Sequence, residues 1–522
     1  MLASADAEVL TNPTLLFSVN GEKIVGTSTR VIQRSDNNKY VVHEYELDKP
    51  LPYSETTSLA VKVIHMKRSM AASPITYNTV SEMHALKTLR DLPNIVRILF
   101  FNGDEAKHTL VFESYTSSLL EYIEGTPKAV RISQTWLLIE QLVVGLKHVH
   151  KNLIIHKNIT CDNILVKIKD GVVSFLLSDF YMSEQLFDSN LEYVCCSESS
   201  NNMKNLLYKA PEVLCDLEYG ASVDIWSLGV SALHFILGED IRVFGDTVEK
   251  LLFYICTMSG LVEPESLEAS NIDTVEARLV SYLRYIRREC APIKELKLSP
   301  RNLYISIPCL GRLESPKGRR SGFCLDIHRV LKKKACDVPK EVIEVLSGML
   351  TLSPIQRLTC DNIHIKLKGK SITLMEKIAP TCTARTPCIR IGDSGRVDFI
   401  RDVMVEIAKE MYSTGASKPM SKTNAVIIGK ALDLFSRYSA LSHEHNLPAS
   451  IACLTVLHKL IKGFNISYAK IHEAAVTVLE DRTYNCELRI LNVLREEFDI
   501  FTVQRVRAYE INILSAAHIH LL

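Results

Sequence analysis

The sequence lacks a hydrophobic run long enough to cross a bilayer, and residues 1–6 lack the basic and apolar stretches of a secretion signal. It also lacks an excess of either charge, because 61 lysines and arginines stand against 60 aspartates and glutamates, for a net charge of +1. Such a balance gives no general attraction to nucleic acid or to anionic membranes. We therefore expect no membrane partner and no direct nucleic-acid partner.

Zinc-ligand and disulfide patterns are absent as well. The 14 cysteines are scattered, with one adjacent pair, Cys195 and Cys196, and no Cys-x-x-Cys spacing. This favours free thiols in a reducing compartment, so we expect an intracellular protein, in the nucleus, the cytoplasm or both. At 522 residues, of which 47% are hydrophobic, the chain is long enough for two to four globular domains.

The most informative motif that is present lies near the middle of the chain. Residues 156–163 read His-Lys-Asn-Ile-Thr-Cys-Asp-Asn, and residues 179–181 read Asp-Phe-Tyr. The spacing resembles the catalytic loop His-Arg-Asp-x-Lys-x-x-Asn and the Asp-Phe-Gly triplet of protein kinases. The resemblance implies that Asn163 and Asp179 hold magnesium. Asn158 and Thr160 then replace the proton-accepting aspartate and the charge-neutralising lysine.

Further motifs extend the resemblance towards the C-terminus. Residues 207–212, Leu-Tyr-Lys-Ala-Pro-Glu, are similar to Trp-Tyr-Arg-Ala-Pro-Glu, and residues 224–229 match Asp-x-Trp-Ser-Leu-Gly. Residues 244–251 resemble the segment that follows in cyclin-dependent kinases. The resemblance implies that Arg357 is the buried partner of Glu212, and it favours the cyclin-dependent branch of the protein kinases.

A lysine and a glutamate upstream resemble another kinase pair. Lys62 interrupts the apolar strand at residues 59–64, and Glu82 lies in a predicted helix over residues 77–89. A lysine in an apolar strand is costly unless it is paired. Either residue alone would be read as an ordinary surface charge, but their order and spacing favour a Lys62–Glu82 pair that binds nucleotide phosphates.

Two other parts of a nucleotide site are predicted less distinctly. Residues 24–31 stand where a Gly-x-Gly-x-x-Gly loop covers the phosphates, but Gly26 is their only glycine. Phe112 ends an apolar strand, after which Glu113 and Tyr115 would offer backbone groups to an adenine. An ordinary buried strand would give the same pattern.

The replaced residues predict a loss of chemistry. The amide of Asn158 is not a useful base, and general-base help contributes about two to four orders of magnitude. Thr160 supplies no charge, and the loss of this cation lowers the rate by about two or three further orders of magnitude. Lys62, Glu82, Asn163 and Asp179 remain, so the resemblance implies ATP and Mg²⁺ as ligands. Because the glycine loop is poor, whether nucleotide is bound stays open.

Two regions of the kinase-like part are polar or basic. In the kinases that this region resembles, an arginine of the catalytic loop binds a phosphate on the activation segment, which is residues 179–212 here. Lys157 stands at the position of that arginine and cannot make the bidentate contact. An insertion over about residues 263–337 carries basic clusters. Solvated surface is the favoured interpretation of both regions.

The C-terminal region reads as helices. Five amphipathic segments are predicted at residues 397–411, 424–439, 448–462, 467–479 and 484–498. A generic helical bundle would give the same periodicity. Residues 431–438 and 452–459 nevertheless resemble the second and third helices of a cyclin box, which implies that Lys459 and Glu487 contact the regulatory helix of a kinase.

We therefore predict an α+β protein with a bilobal protein-kinase fold followed by an all-α, five-helix cyclin-like domain. The predicted boundaries are an N-lobe over 15–112, a C-lobe over 116–370, a linker over 371–396 and the cyclin-like domain over 397–510.

The favoured function is a non-catalytic scaffold or allosteric regulator in cell-cycle or transcriptional control. One alternative is an active Ser/Thr kinase activated in cis by its own cyclin box, and another is a cyclin subunit that serves a separate kinase. The expected partners are the two halves of the chain, within one molecule or between two, or another cyclin-dependent kinase or cyclin.

Overall fold

The structure is a computed structural model of the whole chain. It describes residues 14–19, 22–34, 40–51, 57–65, 76–103, 107–186, 203–215, 217, 219–238, 251, 255, 326–334, 336–368, 394–412, 421–442, 447–462, 470–471, 473–475, 478 and 503–515. These residues form two compact units. The first unit combines Met1–Arg90, Val96–Ser114 and Met375–Leu522, and the second combines Asp91–Ile95 and Tyr115–Leu374.

The first unit contains a six-stranded antiparallel sheet in the order β1-β2-β3-β4-β6-β5. Its strands are β1 Thr14–Val19, β2 Glu22–Arg34, β3 Tyr40–Leu47, β4 Ser58–His65, β5 Ile98–Gly103 and β6 Lys107–Glu113. Alternate residues of the middle strands are apolar, so one face of the sheet can be buried. That face carries a hydrophobic cluster of Tyr45, Leu47, Leu59, Val61, Val63, Leu99 and Val111.

Helix α1 (Tyr77–Thr88) follows β4 and begins at an N-cap, where the Thr76 hydroxyl accepts a hydrogen bond from the Thr79 amide. Every residue from Asn78 to Lys87 is buried, although many of them are polar. Burial on all sides shows that α1 packs against more than the sheet alone.

The additional cover comes from the C-terminal helices of the same unit. These are α9 (Ser394–Tyr412), α10 (Lys422–Ser442), α11 (Leu447–Lys462) and α12 (Val503–Ser515). Helix α11 contacts the other three and also packs on α1, while α12 packs on β5. The N-terminal strands and the C-terminal helices therefore form one compact unit.

The second unit is mainly helical. Its helices are α2 (Leu119–Gly125), α3 (Lys128–Lys151), α4 (Pro211–Leu214), α5 (Ser222–Leu237), α6 (Ile327–Lys333), α7 (Lys340–Met349) and α8 (Cys360–Lys368). Its short strands are β7 Ser117–Ser118, β8 Ile154–Ile155, β9 Ile164–Lys169, β10 Val172–Leu177 and β11 Glu184–Gln185. Helix α3 packs against α5, α8 and β10, and this packing supports the loop between β8 and β9.

Three of the five helices predicted near the C-terminus correspond to α9, α10 and α11, with ends that differ by at most a few residues. The fourth is described only at scattered positions, such as Lys470 and Ile471, and the fifth lies outside the described residues. Helix α12 was not predicted.

Most of the basic insertion also lies outside the described residues, apart from its end at α6, which packs on α7. None of the helices in the described ranges is long and apolar enough to cross a membrane.

Candidate functional site

Lys62 and Glu82 are brought together in the first unit. Lys62 lies on β4, and its Nζ is 2.8 Å from Glu82 Oε1 on α1. The side chains are only 8% and 2% exposed. The Lys62 ammonium also lies 5.1 Å from the centre of the Tyr40 ring on β3. Pairing offsets the cost of burying the lysine, and it fixes α1 against the sheet.

The register of the strands defines the face that carries Lys62. Residues directly opposite in neighbouring strands share a face, and so do residues two apart in one strand. One row across the sheet contains Arg30, Glu44, Ala60 and Phe112, and the adjacent row contains Gln33, Val42, Lys62 and Leu110. Glu44 therefore lies directly beside Ala60, in the row next to Lys62.

The carboxylate of Glu44 bridges two elements of the first unit. Its Oε1 accepts a hydrogen bond from Ser114 Oγ at 2.5 Å, and its Oε2 accepts one from Arg30 Nε at 2.7 Å. Burial alone would raise the pKa of Glu44, but the bonds from Ser114 and Arg30 lower it below its ordinary value. We call this bridge of Arg30, Glu44 and Ser114, in which the carboxylate is paired with the guanidinium, the Glu44 strap.

Gly26 does not lie in a loop. It is inside β2, paired with Leu15 on one side and Leu47 on the other. The predicted phosphate-covering loop at residues 24–31 is therefore a strand, because both neighbouring strands bind its backbone. Residues 35–39, which connect β2 to β3, lie outside the described residues and contain no glycine.

The two predicted hinge residues lie at the end of β6 and just after it. Glu113 ends β6, where its backbone pairs with Leu59 and its carboxylate lies 3.6 Å from Arg97 Nη1. Tyr115 follows in the second unit, with the Lys167 ammonium 5.8 Å from its ring.

The catalytic-loop segment of the second unit is held by hydrogen bonds to Asp224 of α5. Asp224 Oδ2 accepts from the His156 amide at 2.8 Å, and Oδ1 accepts from the Lys157 amide at 2.8 Å. His150 Nε2 lies 3.0 Å from Oδ2. Burial would raise the pKa of Asp224, but the bond and charge of His150 together with His156 lower it. The ionised carboxylate thus holds the loop in place.

Asn158 is the centre of a hydrogen-bonded group. Its Nδ2 donates to Asp179 Oδ2 at 2.8 Å, and its Oδ1 accepts from Asn205 Nδ2 at 3.1 Å. Asn163 Nδ2 donates to the Asn158 carbonyl at 3.0 Å. Asp179 adopts a left-handed backbone conformation with φ of 59°. The amide therefore bridges Asp179 to Asn205, whereas an aspartate at position 158 would face Asp179 with a second negative charge.

Thr160 brings no charge to this group. Its side chain is 2% exposed, and within the described part of the chain its hydroxyl has no hydrogen-bond partner. The structure thus places Asn158, Asn163 and Asp179 together, with an uncharged Thr160 on the same loop.

The cation of Lys157 is neutralised inside the second unit. Its Nζ lies 2.9 Å from Glu184 Oε2 and 5.3 Å from the centre of the Tyr219 ring. The Tyr219 hydroxyl donates to the same carboxylate oxygen at 3.2 Å. Burial would lower the pKa of Lys157, but Glu184 and Tyr219 more than offset this and raise it. The motif at residues 156–163 marks Lys157, but no motif marks Glu184, the residue that binds it.

The predicted pair of Glu212 and Arg357 is confirmed. Arg357 Nη1 and Nη2 donate to the two carboxylate oxygens of Glu212 at 2.6 and 2.9 Å, and both side chains are buried. The guanidinium also donates to the carbonyl oxygens of Thr351 and Ser222 and lies 5.2 Å from the Trp226 ring. This contact joins α4 to the end of the lobe.

Lys459, predicted to contact the regulatory helix of a kinase, is paired with a glutamate of the C-terminal helices. Its Nζ lies 2.7 Å from Glu510 Oε1 on α12, and both side chains are fully buried. Thr455 Oγ1 donates to the same carboxylate oxygen at 2.5 Å. Glu487, the other residue predicted to contact that helix, lies outside the described residues. Glu510 was missed because α12 has no motif that marks it.

One further lysine connects the C-terminal helices to α1. Lys87 Nζ donates to the carbonyl oxygen of Ile513, at the end of α12, at 3.3 Å. Burial lowers the pKa of Lys87 to about 7. The hydrogen bond joins the last turn of α12 to α1, while burial disfavours the charged form of Lys87.

Comparison with known proteins gives a family. Residues 53–366, more than half of the chain, match the model of the protein kinase domain. The mouse protein "Cyclin-dependent kinase-like 5" is 26% identical over 278 residues, which cover 48% of this chain and 27% of that protein. "Serine/threonine-protein kinase STE20" of Yarrowia lipolytica is 30% identical over 158 residues, which cover 28% of this chain and 13% of that protein.

The chain thus spans about a quarter or less of the length of these relatives. A crystal structure of the yeast RNA Pol II CTD kinase CTDK-1 complex matches with 15% identity and a TM-score of 0.42, over 65% of this chain and 90% of that one. This likeness is too weak to bear on fold or function. The family match over residues 53–366 is the decisive finding: the chain belongs to the protein kinase domain family.

Proposed function

We propose that this protein is a pseudokinase of the cyclin-dependent-kinase-like type, a non-catalytic scaffold or allosteric regulator whose C-terminal helices form a cyclin-like domain bound in cis. The observation that carries the proposal is the bonding of Asn158. Its NH₂ group donates to Asp179 and its oxygen accepts from Asn205. The side chain at the position of the proton acceptor is therefore a structural bridge.

The chemistry of the loop supports the same conclusion. A protein kinase needs a group that accepts the proton of the substrate hydroxyl and a cation that neutralises the transferred phosphoryl group. The carboxamide of Asn158 has no basic site, and the hydroxyl of Thr160 carries no charge. Loss of the base alone lowers a rate by about two to four orders of magnitude. At the larger loss, a turnover of roughly 1–100 per second would fall to about one event in minutes to hours.

Packing within the first unit supports cis binding of the C-terminal helices. Helix α11 covers α1, and Lys87 bonds to the end of α12. The residues from Asn78 to Lys87 are buried in this arrangement, so a separate cyclin would have to displace α11 from α1. Residues 431–438 and 452–459, which resemble cyclin-box helices, lie on α10 and α11.

The experiment that tests the proposal measures phosphoryl transfer from labelled ATP in the presence of magnesium. Wild-type full-length protein and Asp179→Ala are compared, with autophosphorylation and a generic protein substrate as readouts. We expect both proteins to give the same background signal. Transfer by the wild type that disappears in Asp179→Ala would contradict the proposal.

That contrary result would support the second candidate, a Ser/Thr kinase activated in cis. One observation favours this candidate: the Lys62–Glu82 pair is formed, with α1 fixed by α11. From the same resemblance we propose that the protein acts in cell-cycle or transcriptional control. We propose that it does so inside the cell, in the nucleus, the cytoplasm or both.

A further inference from the structure

The protein kinase family implies ATP and Mg²⁺ as ligands, and the sheet face around Lys62 provides a test of whether these residues fit a nucleotide. A nucleotide that used this face would place its base against Ala60 and its phosphates at Lys62. Both places are next to side chains that already have partners. These side chains are Glu44, which lies beside Ala60, and Tyr40, which lies beside Lys62.

Glu44 lies directly beside Ala60 across the β3–β4 pair. Its carboxylate is held by Ser114 Oγ and Arg30 Nε, so it is fixed on both oxygens. The lowered pKa of Glu44 keeps this group negative at neutral pH. A base placed against Ala60 would have to displace this side chain and break its bonds to Ser114 and Arg30.

Tyr40 occupies the neighbourhood of Lys62. Its ring lies 5.1 Å from the ammonium, while Glu82 Oε1 lies 2.8 Å from the same atom. Only 8% of the Lys62 side chain is exposed. A phosphate that approached the ammonium would have to displace the ring, and it would lose the cation–π contact, which contributes about 0.5–2 kcal/mol.

Backbone amides do not compensate. Glycines allow amides to approach phosphates closely, but Gly26 is paired inside β2, and residues 35–39 contain no glycine. In the second unit, the Asp179 carboxylate already accepts the Asn158 amide at 2.8 Å, so a metal ion would have to compete with that bond. The residues present do not fit the nucleotide or its metal.

We infer that this kinase domain binds no ATP, because the Glu44 strap and the Tyr40 ring occupy the sheet face that a nucleotide would need. The Lys62–Glu82 pair then serves as an internal tie between β4 and α1. This inference rests on the proposed non-catalytic function and extends it, since a domain that merely lost its base would still bind nucleotide.

The direct test is isothermal titration of the full-length wild type with ATP and magnesium. We expect no saturable heat at millimolar nucleotide. Saturable binding that is lost in Lys62→Met would overturn the inference. Binding without phosphoryl transfer would do so while leaving the proposed function intact, whereas transfer abolished by Asp179→Ala would overturn the proposed function itself.

A gain-of-binding variant shows whether these two side chains are the cause. In Tyr40→Ala/Glu44→Val we expect saturable ATP binding to appear, with a single cooperative thermal unfolding transition as evidence of folding. The matched control is Glu46→Val, which removes an exposed glutamate from the same strand and should bind nothing. A double variant that stays folded and still binds no ATP would refute the role assigned to the strap and the ring.

Discussion

Two groups of residues in the second unit differ in how closely they match the kinase motifs. The supporting contacts, Glu212–Arg357 and the Asp224 anchor, follow the motifs residue for residue. The chemical positions, Asn158 and Thr160, depart from them, and Asn158 has acquired a bonding role of its own. Buried charges are costly to change, whereas groups that act only on substrate can change without cost to the fold. A match at the residues that support the fold is therefore poor evidence that a chain shares the activity of its family.

The largest effect is expected where the supporting contacts are broken. Arg357→Ala leaves the Glu212 carboxylate buried without its bidentate partner, which should cost about 3–5 kcal/mol in the stability of the unit. Urea unfolding, followed by hydrogen exchange in α5, measures this cost. Lys340→Ala is the control, because its pair with Glu344 is 86% and 60% exposed and should contribute almost nothing. Equal losses of stability in Arg357→Ala and Lys340→Ala would contradict the supporting role assigned to the buried Glu212–Arg357 pair.

A smaller effect, with a pH dependence, is expected at Lys87 in the first unit. Its pKa of about 7 in the folded protein lies below the ordinary value of 10.5. Between those pH values the unfolded chain binds more protons, so wild-type stability rises with pH. Relative to Lys87→Met, the wild type should gain about 2 kcal/mol between pH 7 and pH 9. Urea unfolding of both proteins at the two pH values tests this, and a constant difference would show that the ammonium is not buried as described.

The smallest effect is expected at the chemical positions. Asn158→Asp replaces a donor to Asp179 by a second carboxylate and should cost about 1 kcal/mol, with recovery when magnesium is added. Thermal unfolding with and without magnesium gives the measurement. Asn205→Ala is the control, because it loses a bond to Asn158 without adding charge. A more stable Asn158→Asp protein in the absence of magnesium would mean that the amide bridge is unimportant.

Much of the fold followed from the sequence. The bilobal protein-kinase fold predicted from the motifs is confirmed by the family match over residues 53–366. The contact of Arg357 with Glu212 was foreseen because each residue stands in a recognisable run. Helices α9 to α11 were foreseen from their apolar period alone.

The parts that the sequence did not predict depend on strand register or on distant partners. Gly26 suggested a turn, but the pairing of β2 with two neighbouring strands makes that segment a strand. Glu44 acquires its importance from standing opposite Ala60, which only the register reveals. Glu510 is 51 residues from Lys459, with no motif to link them. Local patterns report local structure, and these contacts are not local.

The bond between Lys87 and Ile513 joins residues that are 426 positions apart, and the whole second unit lies between them in the chain. At a synthesis rate of about 5–20 residues per second, roughly 20–85 seconds separate the appearance of these two residues. During that time the nascent strands and α1 exist without the helices that bury them. The second unit is complete first, so the part of the protein that is made earliest is the last to acquire its final structure.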